Sequence, residues 1–133
     1  MIARLHHVVL DCPDPELLAG FYSALLGMPV VYRSPDWVVV AENDSSSGLA
    51  FQLAPDHQPP AWPDPRRPQQ FHLDLMVTDV LAADAWVRGL GARRLSATDP
   101  VYADPAGHPF CLIPKPAWAP ELPDAPAPGE RPR

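Results

Sequence analysis

A chain of 133 residues, 47% of them hydrophobic, is one domain by length and can bury a working core. Its net charge of −6, with arginines in isolated pairs rather than a stripe, excludes nucleic acid and an anionic membrane surface as partners. Two cysteines make no disulfide framework, no apolar run reaches spanning length, and no charged start leads into a signal-like segment; a cytoplasmic protein with reduced thiols is expected.

The first predicted element is a strand from Arg4 to Asp11. Its alternation sets Leu5, His7, Val9 and Asp11 on one face and His6, Val8 and Leu10 on the other. Asp14 caps a helix that has Pro15 at its first position and Leu17, Leu18, Phe21, Tyr22 and Leu25 at helical spacing. Gly27 stops it. Short strands follow at Val30 to Tyr32, Trp37 to Ala41 and Leu49 to Ala54, separated by turn-forming residues. Pro55 to Gln70 is too rich in proline for a helix or a central strand and reads as a stiff linker anchored by Trp62.

The second half repeats the order. Phe71 to Val77 is a strand whose core side is Phe71, Leu73, Leu75 and Val77. Asp79 or Thr78 caps a helix bearing Val80, Ala83, Val87 and Leu90, and Gly91 ends it. Ala92 to Leu95, Pro100 to Tyr102 and Pro109 to Ile113 complete the unit, with a turn at Asp104 to Gly107. The fold class is therefore α+β, two βαβββ modules in one domain over 1–114: module 1 at 4–54, linker at 55–70, module 2 at 71–114. A proline-rich tail, 115–133, follows, with Trp118 expected to pin its first part.

Duplication gives the best lead to function. His7 and His72 open equivalent strands, and two imidazoles at equivalent places suit zinc, nickel, iron or copper. Either alone is an ordinary packed or solvent-facing histidine. Gln52 and Cys111 hold matching places on the last strand of each module. The first also reads as a surface glutamine and the second as a buried apolar thiol. Asp74 shares a face with His72 and is a candidate general base, ligand or partner of a histidine. His6 is expected to point away from His7, and His57 and His108 to be exposed.

The strand His7-Val8-Val9-Leu10, the helix with Phe21-Tyr22 ahead of Leu26-Gly27, the strand from His72 to Val77 leading into Asp79, and Asp104-Pro105-Ala106-Gly107-His108-Pro109-Phe110 together resemble the vicinal oxygen chelate superfamily. It includes glyoxalase I, extradiol dioxygenases and the fosfomycin- and bleomycin-resistance proteins. The resemblance runs from Leu5 to Ile113 and is nearest to the glyoxalase-like domain branch. It implies paired modules whose mixed sheet curls around a cavity, and metal ligands at His7, Gln52, His72 and Cys111. Cys111 stands where the family's usual glutamate would be, so the anionic ligand would be the Cys111 thiolate, Asp74 or the substrate.

Two readings of function follow. One is a metal-dependent lyase or dioxygenase-type enzyme using zinc, nickel, iron or manganese, with Asp74 as catalytic base. The other is a non-catalytic, metal-free protein that sequesters a small aromatic or amphipathic molecule, with Trp37, Phe51 and Trp62 as walls. In either, a homodimer is expected to cover exposed sheet edges.

Overall fold

The computed structural model describes residues 1–123. They form the order β1 (His7–Cys12), α1 (Pro15–Leu26), β2 (Val30–Ser34), β3 (Trp37–Val40), β4 (Gly48–Leu53), β5 (Leu73–Val77), α2 (Val80–Leu90), β6 (Arg93–Arg94), β7 (Val101–Ala103) and β8 (Pro109–Pro114). The architecture is α+β, βαβββ twice, as expected. Two compact units result, divided between Gln58 and Pro59, and each is described by itself.

In the first unit the strand order is β1-β4-β3-β2. β1 runs parallel to β4, and the remaining pairs are antiparallel. The sheet is mixed and open. Asp14 caps α1 by accepting the Leu17 N–H at 3.0 Å, and Gly27 ends it with φ of 65°. The helix lays Leu18, Ala19, Phe21 and Tyr22 on the sheet, and Tyr22 stacks on Phe51 with ring centroids 5.5 Å apart. Phe51 lies in register with Leu10 and Val38, so these three mark the helix-covered face. All are buried.

β4 begins where only glycine fits. A Cβ on Gly48 would lie 2.1 Å from the Val40 carbonyl oxygen, a backbone atom that cannot yield without parting β3 from β4.

The second unit repeats this as β5-β8-β7-β6, again with its first and last strands parallel. Asp79, not Thr78, caps α2, accepting the Leu81 and Ala82 N–H groups at 2.9 and 3.1 Å. Phe110 and Tyr102 stack at 5.5 Å and lie in register with Leu73. Only Val87 of α2 is fully buried; polar contacts replace much of the apolar docking seen in α1. The Tyr102 hydroxyl donates to Asp84 at 2.6 Å, and Arg88 and Arg94 pair with the same carboxylate at 2.6 and 3.0 Å.

Several expectations are corrected. β1 starts at His7 rather than Arg4, and Leu5 is exposed. The His6 ring therefore escapes strand alternation and lies 3.8 Å, centroid to centroid, from that of His7. Phe71 precedes β5 and is 61% exposed, so it is no core residue. Trp118 is 88% exposed and pins nothing. The start of the tail is held instead by the Lys115 N–H on the Val77 carbonyl, by Lys115 Nζ on the Ala119 carbonyl at 3.2 Å, and by burial of Ala119. The rest of the tail, from residue 124, lies outside the described residues.

The proline-rich segment is a chain of tight turns closed on itself. Ala61 donates to the Arg67 carbonyl at 2.8 Å, and the Arg67 guanidinium donates to the Pro59 carbonyl at 2.7 Å. Trp62 is half-buried within it.

Candidate functional site

Strand register sorts the candidate residues by face. In the first unit His7, Val9 and Asp11 pair with Gly48, Ala50 and Gln52, which continue to Val39 and Trp37 on β3. This is the face that α1 leaves uncovered, because Leu10, Phe51 and Val38 occupy the other. Its centre is apolar: Val39, Ala41 and Ala50 are buried, with Val31 and Trp37 packed against them. Gln52 is exposed beside Asp11 and Trp37 in one register row. Phe51, expected as a ligand wall, belongs to the opposite face, fully buried beneath α1, and its ring fills core.

His7 Nδ1 accepts the Gly48 N–H at 3.1 Å. Burial, and then the neighbouring His6, push its pKa below the ordinary imidazole value, so the ring is neutral at pH 7. With Nδ1 accepting, the proton of the neutral ring belongs on Nε2. In this state His7 offers a hydrogen-bond donor rather than a free lone pair.

In the second unit Asp74, Cys111 and Val101 form one register row, on the face that α2 leaves uncovered. His72 stands immediately ahead of β5, two residues before Asp74. Its Nε2 lies 3.1 Å from Asp74 Oδ1. The ligand atoms of His72, Asp74 and Cys111 all fall within 4.8 Å of one another. Burial, then the Asp74 charge and its hydrogen bond with the thiol, push Cys111 above the usual thiol range. Without a cation the thiol stays protonated at neutral pH and donates to Asp74. Cys12 and Cys111 are both free of disulfides.

His7 and Gln52 thus belong to the first unit, and His72, Asp74 and Cys111 to the second. Only the last three are brought together as a cluster among the described residues.

Sequence reasoning missed a further pair. Asp104 is buried at 4% exposure and accepts the Ala106 and His108 N–H groups at 2.9 and 3.0 Å. Its second oxygen meets His108 Nδ1 at 2.8 Å. His108 is therefore partly buried and fixed by its turn, not exposed as expected; His57 is likewise half-buried. The four-residue spacing of Asp104 and His108 around Gly107 was the available signal. The i,i+4 spacing of Asp84 and Arg88 was the corresponding signal for the network on α2.

Comparison with known proteins agrees with the architecture. The family model described as a glyoxalase-like domain matches residues 7–113. No protein of curated function matches the chain. Among solved structures, a glyoxalase-related enzyme from Fulvimarina pelagi is 21% identical, with a TM-score of 0.63 over 89% of this chain and 92% of that one. A glyoxalase/bleomycin resistance protein/dioxygenase family enzyme from Burkholderia phytofirmans PsJN is 18% identical, with a TM-score of 0.62 over 83% and 97%. A bleomycin-binding protein complexed with bleomycin is 19% identical, with a TM-score of 0.52 over 86% and 99%. At these identities the solved structures establish the shared fold. The family match spans most of the chain: it belongs to the glyoxalase-like domain family of the vicinal oxygen chelate superfamily.

Proposed function

We propose that this chain takes up a small organic molecule on the helix-free faces of its sheets and acts on it with a bound divalent metal, in lyase- or oxygenase-type chemistry. One observation carries the reading. All of the donor residues expected from the sequence, His7, Gln52, His72, Asp74 and Cys111, fall on or beside the face that their own helix leaves open. The helix-covered faces hold packed apolar and aromatic side chains, the tyrosine network and, at the margin of the first, the exposed Arg33–Glu16 ion pair.

The donor set fits a metal. Nitrogen, carboxylate oxygen and sulfur suit zinc and its neighbours, and three protein donors are one short of a closed tetrahedral set. A divalent metal there supplies a Lewis acid for adjacent substrate oxygens. The ligands are expected at His72 and Cys111; His7 and Gln52, the other positions that the family resemblance offers, sit on the first unit. Asp74 reads as a base from the sequence; its contacts with both His72 and Cys111 suit a ligand equally.

Elemental analysis of freshly purified protein tests this, together with melting temperature on adding zinc, nickel, iron(II) or manganese. Stoichiometric metal or a clear rise is expected. Metal-free protein with no rise for any of the four would reject it.

A second reading is favoured by the apolar patch of Val31, Val39, Ala41 and Ala50 beside Trp37. It is metal-free sequestration of an aromatic or amphipathic molecule, as the bleomycin-binding relative takes bleomycin. Ligand-induced stabilisation that persists in chelator supports this alternative over the first.

Both readings include a homodimer, in which the open edges of the sheets are covered by a second copy. Light scattering showing a monomer at micromolar concentration would remove that part. Among the described residues no helix is long and apolar enough to cross a membrane. A cytoplasmic location remains part of the proposal.

A further inference from the structure

We infer that the metal site is complete within the second unit: His72 Nε2, an Asp74 carboxylate oxygen and the Cys111 thiolate hold one divalent ion, and neither His7 nor Gln52 is needed. This rests on the metal-dependent reading above and specifies its ligands.

The argument begins with the sheet. Residues two apart on an extended chain project to the same side, and a register partner on the neighbouring strand stands about 4.8 Å away. His72 and Asp74 are two apart, and Cys111 is the register partner of Asp74 on the parallel strand β8. Three donors therefore form a compact triangle on one surface, two along the chain and one across the ladder. Donor atoms in a tetrahedral zinc site are roughly 3.3–3.8 Å apart. The His72–Asp74 side is already 3.1 Å, and no pair exceeds 4.8 Å. Side-chain rotation alone can close the remainder, because His72 and Asp74 are exposed and Cys111 is half-buried.

The chemistry agrees with the geometry. The cluster supplies one neutral and two anionic donors, which answers the missing glutamate that the family resemblance raised. The next residue in the row, Val101, is apolar and offers no donor. The fourth position is left for water or an oxygen of a bound molecule, as in zinc sites that do chemistry. Asp99 adds negative charge near Cys111. A cation held by the cluster displaces the thiol proton to solvent and leaves the Asp74 carboxylate anionic. Asp74 is thus a ligand here rather than the free base expected from the sequence.

The first unit gives an independent reason. His7 Nδ1 is engaged by the Gly48 N–H. Ligation through Nε2 would require the proton to move to Nδ1, against that donor.

The test is a cobalt(II) titration of the full-length metal-free protein, followed by the thiolate-to-cobalt charge-transfer band. One equivalent and a clear band are expected. Cys111→Ser should abolish the band, and His72→Ala or Asp74→Asn should weaken binding by at least about tenfold. His7→Ala and Gln52→Ala should bind within about twofold of the unmodified chain. Cobalt bound without a thiolate band, full affinity in Asp74→Asn, or loss of binding in His7→Ala overturns the inference while leaving a metal-dependent protein. No cobalt bound at all overturns both. Should a variant fail to fold, imidazole NMR of the unmodified chain decides. On adding zinc, His72 resonances should shift and those of His7 should not; the reverse pattern overturns the inference.

Discussion

The two units share an order of elements and divide their work differently. The first docks its helix through apolar contact, and the open face it leaves is itself largely apolar. The second docks its helix through a tyrosine–carboxylate–arginine network, and its open face carries an imidazole, a carboxylate and a thiol in one cluster. Even their leading histidines differ. His7 is tied to a backbone N–H, whereas His72 pairs with a carboxylate. Duplication therefore preserves the frame while the polar groups are free to diverge, and the clustered imidazole, carboxylate and thiol occur in one copy.

The shared part of the frame is the place to break the comparison hardest. Phe51 and Phe110 occupy equivalent strand positions, both fully buried, each stacked on a tyrosine. Phe51→Ala and Phe110→Ala should each cost about 3–5 kcal/mol in denaturant unfolding. A much smaller loss in one would show that its unit is loosely packed.

The glycines that precede these aromatics by three residues come next. Gly48→Ala drives a Cβ against the Val40 carbonyl oxygen, and Gly107→Ala places one 2.6 Å from Pro59 Cβ at a φ of 93°. Each should cost about 1–3 kcal/mol, the first more because a backbone atom blocks it. Gly48→Ala should also disturb the His7 ring resonances.

The tyrosine network sharpens the contrast through pH. Burial, then Asp84, push the Tyr102 phenol from 10.0 up to about 12. A pKa raised in the folded state stabilises below the unfolded value and is lost as pH climbs through the folded one. Unfolding free energy should therefore fall by on the order of 2 kcal/mol between about pH 10 and 12. Tyr102→Phe should flatten that slope and cost about 1 kcal/mol at neutral pH. An unchanged slope would place the titration elsewhere.

The smallest effects belong to the helix caps. Asp79 accepts two backbone N–H groups and Asp14 one. Each alanine substitution should lower stability by about 1 kcal/mol in thermal unfolding, with Asp79→Ala the larger.

The frame was legible in the sequence because its signals are local. Asp14 and Asp79 ahead of apolar periodicity, and Gly27 and Gly91 behind it, fix the helix ends within the chain segment that carries them. Alternation fixed which face His7 and Asp74 share with their neighbours. What stayed hidden depends on partners far along the chain. Alternation sets Phe51 on the face opposite Gln52, and what that face packs against is learned only when Tyr22 is seen above the ring. The His7 tautomer follows from a Gly48 N–H, and the Asp74–Cys111 pairing from a register that joins the second unit's first and last strands. Phe71 and Trp118 failed for the same reason: a large apolar side chain predicts burial only where a surface exists to receive it.

Crystals grown with zinc and measured at the zinc absorption edge test the asymmetry most directly. An anomalous peak about 2.0–2.3 Å from His72 Nε2, a carboxylate oxygen of Asp74 and Cys111 Sγ is the expected result. A peak bonded to His7 or Gln52, or a second unit carrying no peak, would contradict it.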